Sequence, residues 1–342
     1  AGGTGGHVIP ALTIAEEMQE KGISTEWVGT KEGIEARLIP AAGIPIHYVN
    51  ARGLRGKGSF NRLMSGMVFL FSMMSIIRIF FLIRPSLVLG MGGYVSGACG
   101  IVARLLRIPL VIHEQNAIPG LTNRILAKFS DRVLTGYPGI FPALKDKARY
   151  TGNPVRRDIG MIPPPEVRIP SHEGPVRILV MGGSQGSACL NKILPGAIKA
   201  LSSKLDVKVV HQTGEKDELQ VREYYLENGL DAVAVAFIDD IAEYYAWADI
   251  LIARSGALTV AEIMAVGIGS ILIPYPYAVD DHQRINALEL EKAGACHLLD
   301  EKCLHEDTLL RLLSDMDRDR LTEMAVSAYR LGMPDATRQV VE

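Results

Sequence analysis

The run Val176-Arg-Ile-Leu-Val-Met181, followed by Gly182-Gly183-Ser184-Gln185-Gly186, decides how this chain is read. A β-rich apolar stretch that ends in a glycine turn and leads into a helix-length segment opens a strand–turn–helix unit. Toward the C-terminus, Val207–His211, Ala232–Phe237, Ile250–Ala253 and Ser270–Ile273 read as further strands, with helices such as Leu258–Val266 between them. Toward the N-terminus the same alternation appears in Ile46–Val49, Leu87–Leu89, Leu110–Ile112 and Arg132–Leu134, and an earlier strand ends at Val28-Gly29-Thr30. Strands alternating with crossover helices are the mark of parallel, doubly wound sheets, and 342 residues suffice for two such units.

The proline-rich stretch Ile162–Pro170 divides the two runs and reads as a linker. The expected organisation is an N-terminal domain over residues 1–157, a linker over 158–175 and a C-terminal domain over 176–330. A final helix over 331–342 is expected to return to the first domain. Because Ala1 already opens a glycine loop, Ala1-Gly-Gly-Thr-Gly-Gly-His7, the strand that normally precedes such a loop is expected to be missing.

Charge excludes some classes of function. The 36 basic and 38 acidic residues leave a net of −2, so the chain is no nucleic-acid polycation. The balance conceals a division: through Arg157 there are 19 basic and 9 acidic residues, and from Asp158 onward 17 and 29. No acidic residue lies between Glu35 and Glu114, a stretch that holds Arg37, Arg52, Arg55, Lys57, Arg62, Arg78, Arg84, Arg104 and Arg107. That stretch is expected to attract anions. Four scattered cysteines without a C-x-x-C argue against a zinc ribbon, a redox pair or a disulfide scaffold.

Three glycine turns of one kind occur: Gly2–Gly6, Gly90-Met-Gly-Gly-Tyr94 and Gly182–Gly186. Each presents backbone N–H groups at a helix start, where the dipole favours phosphate. A single turn of this type is explained by backbone conformation alone; three together point to a phosphate-bearing ligand. The dinucleotide fingerprint fails, because counting from Gly3 its last glycine falls on Val8. The P-loop fails as well, since Gly56-Lys57 is followed by Gly58. A nucleotide or diphosphate held in a cleft between two Rossmann-like units remains.

Residues 63–83 form the most hydrophobic segment, with Met67, Phe69, Leu70, Phe71, Met73, Met74, Ile76, Ile77, Phe80 and Phe81 spread around nearly the whole helix circumference. A crossover helix needs only one apolar stripe, so the outer face calls for an apolar partner. Peripheral contact with an anionic membrane is the favoured expectation, with Arg62 and Arg84 flanking the segment. Burial in the protein or in an oligomer is the next. Spanning is disfavoured by Arg78 and by the need for the flanking strands to share a sheet.

Several motifs in order resemble the MurG family, the UDP-N-acetylglucosamine:N-acetylmuramyl-(pentapeptide) pyrophosphoryl-undecaprenol N-acetylglucosamine transferases of peptidoglycan synthesis. They are GGTGGH at Gly2–His7, Ala51–Gly58, GMGGYVSG at Gly90–Gly97, HEQN at His113–Asn116, GNPVR at Gly152–Arg156, GGSQG at Gly182–Gly186, FIDD at Phe237–Asp240, RSGALTVAE at Arg254–Glu262 and DDHQ at Asp280–Gln283. The resemblance implies a GT-B fold, an α/β architecture of two Rossmann-like doubly wound parallel-sheet domains facing a cleft. It also implies inverting transfer of N-acetylglucosamine from UDP-N-acetylglucosamine to the C4 hydroxyl of lipid I, giving lipid II. The protein would then act at the cytoplasmic face of the plasma membrane as a peripheral enzyme, with a cell-wall synthesis complex as a further implied partner and no cofactor.

Site residues follow from the same resemblance. Thr4, Gly5, Gly6, Asn116, Arg156, Ser184, Phe237, Ile238, Gln283 and the run Ala257, Leu258, Thr259, Val260, Ala261 and Glu262 would hold the donor. Within that set Ile238 would read the uracil edge, Glu262 would accept from the ribose hydroxyls and Gln283 would meet the sugar. For Glu262 the alternative is a dipole partner in the first turns of its helix. His7 is the expected base and Glu114 its competitor, with Asn116 orienting the acceptor; His7 also reads as a plain helix-start residue. Arg52, Arg55, Lys57, Phe69, Phe80, Gly92, Gly93 and Tyr94 would serve acceptor and membrane. Asp239-Asp240 and Asp280-Asp281 lack a neighbouring ligand at metal spacing, so no metal is expected. The rival readings are another UDP-sugar user of the same fold, such as a UDP-N-acetylglucosamine 2-epimerase or a diacylglycerol glucosyltransferase, and a non-catalytic nucleotide-sugar sensor or membrane scaffold.

Overall fold

A computed structural model describes residues 1–2, 5–50, 59–183 and 186–342, with side chains for all of these except 59–67 and 279. The chain divides into two compact units, one of Ala1–Pro154 with Asp335–Glu342 and the other of Val155–Pro334.

The first unit runs α1 (Gly5–Glu20), β1 (Trp27–Gly29), α2 (Glu35–Ala41), β2 (Ile46–Tyr48), α3 (Ser59–Ile83), β3 (Val88–Gly90), α4 (Gly93–Leu105), β4 (Leu110–Glu114), α5 (Leu121–Leu126), β5 (Arg132–Thr135) and β6 (Ala148–Tyr150). Its described strands are all parallel, β1 with β2 and β3-β4-β5-β6 in sequence order. Leu110 and Ile112 of β4 and Val133 of β5 are fully buried, as strands covered on both faces require.

The second unit begins with two short helices, α6 (Arg157–Gly160) and α7 (Pro165–Arg168). It continues β7 (Val176–Met181), α8 (Ala188–Ser202), β8 (Val207–Gln212), α9 (Glu218–Glu227), β9 (Ala232–Val235), α10 (Ile241–Trp247), β10 (Ile250–Ala253), α11 (Ala257–Val266), β11 (Gly269–Leu272), α12 (His282–Lys292), β12 (Cys296–Leu298), α13 (Glu306–Ser314) and α14 (Arg318–Tyr329). Helix α15 (Ala336–Val341) belongs to the first unit, where Val340 and Val341 pack beside Val8 and Ile14 of α1.

The six strands of the second unit are parallel in the order β12-β11-β10-β7-β8-β9. This is the Rossmann strand order, and its direction reverses between β7 and β10, where open α/β sheets place their ligands. Ile178 and Val180 of β7, Ile250 and Ile252 of β10 and Leu190, Leu194 and Ile198 of α8 form one buried cluster.

The proline-rich stretch packs within the second unit rather than running free as a linker. Ile159 and Ile169 are fully buried. The Arg168 guanidinium donates to the carbonyls of Val266 (2.9 Å) and Gly267 (2.5 Å) behind α11. His172 meets the buried Asp249 carboxylate at 2.6 Å. The prolines interrupt two short helices whose few apolar and charged side chains nevertheless anchor them.

Helix α3 is two-sided. Ile76 and Phe80 lie in a core with Val95, Ala98, Cys99 and Val102 of α4. Leu70, Phe71, Met74, Phe81 and Leu82 are exposed, Phe71 at 61% and Leu82 at 77%. The expectation that Phe80 faces a membrane is therefore corrected: at 4% exposure it is a core side chain. Phe69 is half-buried against the same cluster. Among the described residues no helix is long and apolar enough to cross a membrane.

Candidate active site

In the second unit the candidate groups gather at the strand ends flanking the reversal point. After β7 the turn reaches Gly186, whose φ of +74° belongs to the left-handed region. A Cβ there would stand 1.8 Å from the Thr213 carbonyl oxygen, so only glycine fits. Ser187 caps α8 and Gly256 caps α11, and neither makes a side-chain hydrogen bond back into the first turn. Helix N-termini of this kind suit an anionic group such as a phosphate.

Arg254, at the end of β10, ties these loops together. It donates to Ser187 Oγ (2.9 Å) and to the carbonyls of Ile273 (3.2 Å) and Pro274 (3.3 Å), and it pairs with Glu301 at 2.5 Å. Its guanidinium also lies 5.6 Å from the centre of the Tyr275 ring.

Ala257, Leu258, Thr259, Val260, Ala261 and Glu262 form the first turns of α11. The Glu262 side chain is buried. One oxygen lies 3.4 Å from Arg156 Nη2 and the other accepts from the Tyr245 hydroxyl at 3.0 Å. Burial raises the Glu262 pKa, against the pull of Arg156 and the Tyr245 hydrogen bond. Phe237 is exposed and Ile238 is buried just after β9. On α12, Gln283 accepts from the Tyr275 backbone N–H at 2.8 Å. Ser184 lies outside the described residues.

The first unit gathers a second set. Gly5 and Gly6 open α1, with His7 in its first turn. Gly92 (φ +95°) and Gly93 (φ +76°) precede and open α4, and a Cβ on Gly92 would lie 2.9 Å from the His7 ring. Without a side chain at 92, the imidazole sits directly on this turn. Tyr94 is partly exposed. Burial pulls the His7 pKa below its usual value, opposed by its hydrogen bond to Gln115 and by the charge of Glu114.

Glu114 ends β4 and is 1% exposed. One of its oxygens accepts from the backbone N–H and side-chain amide of Asn116 (3.0 and 3.2 Å). The other accepts from the Gly120 N–H (3.0 Å) and the Asn123 amide (2.9 Å). Four donors fill the positions a carboxylate offers. Thr4, Arg52, Arg55 and Lys57 lie outside the described residues. Asp240 caps α10 and Asp281 pairs with Arg284 at 3.7 Å. Among the described residues no group of three metal-ligating side chains forms.

Three partners carried no assignment from the sequence: Gln115, Tyr245 and Arg254. Gln115 was within reach, because His113, Glu114 and Gln115 are consecutive polar residues at the C-terminal end of an apolar parallel strand, and such ends carry function.

Comparison with known proteins places the whole chain in a family. The family model for the glycosyltransferase family 28 N-terminal domain matches residues 1–135, and that for the C-terminal domain matches residues 177–340. The chain is 43% identical over 343 residues to the UDP-N-acetylglucosamine–N-acetylmuramyl-(pentapeptide) pyrophosphoryl-undecaprenol N-acetylglucosamine transferase of Coxiella burnetii (strain RSA 493 / Nine Mile phase I), covering all of this chain and 95% of the relative. The chain belongs to glycosyltransferase family 28. A second family-28 relative, the transferase of the same name from Thiobacillus denitrificans, is 44% identical over 350 residues, with 100% and 95% covered. Among solved structures, MurG of Acinetobacter baumannii superposes with a TM-score of 0.81 at 35% identity, covering 99% of this chain and 96% of that one. The UDP complex of MnaA from S. aureus superposes at 0.68 with 13% identity, covering 99% and 93%. That likeness shows the fold alone, the two-unit α/β architecture that family 28 shares with other GT-B proteins.

Proposed function

We propose that this family-28 chain transfers N-acetylglucosamine from UDP-N-acetylglucosamine to the C4 hydroxyl of the N-acetylmuramyl residue of lipid I, releasing UDP and forming lipid II. The observation that carries the reading is the match, at 43–44% identity and across 95% of their length, to relatives named for this transfer. In the reaction the acceptor oxygen forms a bond to the anomeric carbon while the bond from that carbon to UDP breaks, with inversion. The hydroxyl proton passes to His7, and the leaving diphosphate gathers charge at the N-termini of α8 and α11. Glu262 receives the ribose hydroxyls, supported by Arg156, and Gln283 meets the sugar. Glu114, with its carboxylate committed to Asn116, Gly120 and Asn123, shapes the loop that holds the acceptor; a group filled by four donors is a poor base.

The exposed face of α3, with Leu70, Phe71, Met74, Phe81 and Leu82 beside Arg78 and Arg84, is the surface that seats the protein on an anionic membrane, where a polyprenyl acceptor resides. The test of the activity is incubation with UDP-N-acetylglucosamine and a lipid I analogue, followed by product analysis. The disaccharide product is expected, with the C4 epimer of the donor used poorly. Tight donor binding without UDP release would overturn transfer in favour of a sensor.

A further inference from the structure

Four groups in the first unit form one line of hydrogen bonds with a fixed direction. It starts at the Gly152 carbonyl, which can only accept, and the buried His113 Nε2 lies 3.0 Å from it. His113 must therefore carry its proton on Nε2. Burial holds its pKa down to about 4, so the ring is neutral near pH 7 and Nδ1 is a lone pair. The Gln115 side-chain nitrogen lies 3.2 Å from that Nδ1 and 3.1 Å from the His113 carbonyl, two acceptors that its N–H groups satisfy. Turning the amide over would set its oxygen against both. The Gln115 oxygen therefore faces the other way, to His7 Nδ1 at 3.1 Å. The Asn153 amide holds the Gln115 backbone in place by donating to its carbonyl at 2.9 Å.

An amide oxygen only accepts, so the His7 nitrogen facing it must carry hydrogen. We propose that Gln115 is a positioning residue that holds His7 in the Nδ1–H tautomer, which makes Nε2 the nitrogen that takes the acceptor's proton. The proposal deepens the reading of His7 as the base and rests on it. The step balances simply: Nε2 gains the hydroxyl proton, the ring becomes imidazolium, and its Nδ1–H bond to Gln115 persists throughout. Other groups facing the ring are the Glu114 carboxylate on the same strand end, the amino group of Ala1 and the Met91 carbonyl, with Gly92 and Gly93 against its edge. The Met91 carbonyl, like that of Gly152, can only accept, so its hydrogen bond with the ring likewise calls for a ring N–H; the contact whose nitrogen the geometry fixes is that of Gln115, at Nδ1.

The experiment uses the full chain labelled with 15N-histidine, with the His7 signals assigned by their loss in His7→Gln. Long-range proton–nitrogen correlation reads the tautomer directly. The wild type is expected to show a protonated Nδ1 on His7. Gln115→Met keeps the bulk without the amide and should yield a mixed tautomer. It should lower kcat by at least about tenfold and by no more than the whole general-base contribution of about 10²–10⁴-fold. Gln115→Glu should move the acidic limb of the kcat/KM profile to higher pH, because a carboxylate stabilises the His7 imidazolium, and should also raise the His113 pKa, because its second oxygen then faces the Nδ1 lone pair of that ring; a packing role alone would not move the limb. A wild-type His7 protonated on Nε2, or a Gln115→Met variant with unchanged tautomer and unchanged kcat, overturns the proposal, and the first measurement needs no variant to fold. Near-normal turnover of His7→Ala would instead sink the base reading and leave the tautomer result standing.

Discussion

Replacing Glu262 by Gln separates a carboxylate that binds ribose from one that only completes a buried ion pair. A carboxylate offers about four lone-pair positions. Among the described residues Arg156 and Tyr245 take one on each oxygen, which leaves one on each for the two hydroxyls of a ribose. In Glu262→Gln the amide oxygen stays toward Arg156, because a donor there would face a donor. The amide nitrogen then faces Tyr245, whose hydroxyl turns to accept from it. The free protein thus loses little, whereas the ligand loses one acceptor and the charge on the other. A hydrogen bond to a charged group is worth about 1.5–3 kcal/mol, so the dissociation constant for UDP should rise about 10- to 150-fold.

Isothermal titration with UDP and 2′-deoxy-UDP on both proteins, with a ligand-free melt as control, measures the coupling as a double-mutant cycle. The wild type should discriminate against the deoxy ligand and the variant much less, with ligand-free melting nearly unchanged. Because burial raises the Glu262 pKa, wild-type affinity should also weaken on acidification sooner than an exposed carboxylate would allow, and the variant should lack that dependence. Equal UDP affinity in both proteins, or the same deoxy penalty in both, would refute the ribose role and leave Glu262 a structural partner of Arg156.

Acid should weaken both units. His113 titrates near 4 and His211 near 3 when folded, against about 6.5 unfolded, so below pH ~6.5 the unfolded chain binds the extra proton and stability falls. Each unit should lose about 2 kcal/mol between pH 6.5 and 5, readable as lower urea midpoints, and pH-independent midpoints would contradict the buried neutral rings. Gly186→Ala should destabilise the second unit by at least about 2 kcal/mol, since its Cβ collides with the Thr213 carbonyl in a left-handed backbone, and UDP should lose its stabilising effect in thermal melts. Phe71→Asp with Phe81→Asp should leave melting unchanged but reduce sedimentation with anionic vesicles by tenfold or more, each buried ring being worth about 1.5–3 kcal/mol; unchanged sedimentation would remove α3 from the membrane surface.

The pattern of strands and turns was legible because parallel strands buried on both faces must be continuously apolar. Val176–Met181 and Ile250–Ala253 match β7 and β10 residue for residue, and most others agree within two residues. The short strands β6 and β12 escaped, since Ala148–Tyr150 and Cys296–Leu298 carry a charge or a histidine in only three residues. The stretch around Pro163–Pro165 misled for another reason: proline marks interruption, and nothing local reports that Ile159 and Ile169 find a core. Helix α3 shows a similar limit. Its sequence is apolar on every face, so composition cannot say that Phe80 turns inward while Phe81 turns outward; only α4 decides that. Glu262 and Gln283 were nominated through motif order, whereas Tyr245 could not be, because its pairing with a carboxylate 17 residues away exists only once α10 and α11 are packed.

The choice of an amide at position 115 has a chemical logic that a carboxylate would not satisfy. As the proposed base, His7 must be unprotonated at rest, and burial already keeps it neutral near pH 7. A carboxylate against Nδ1 would fix the same tautomer but would also raise the pKa, filling the lone pair with a proton over part of the working range. Gln115 supplies the acceptor without the charge, and its own direction is dictated by His113 and finally by the Gly152 carbonyl, a group that cannot titrate. In the proposed arrangement tautomer and protonation state are set by separate groups: the hydrogen-bonded line decides which nitrogen is open, and burial decides that it stays open. A glutamate at 115 would join the two controls, and the pH profile of Gln115→Glu is where their separation becomes measurable.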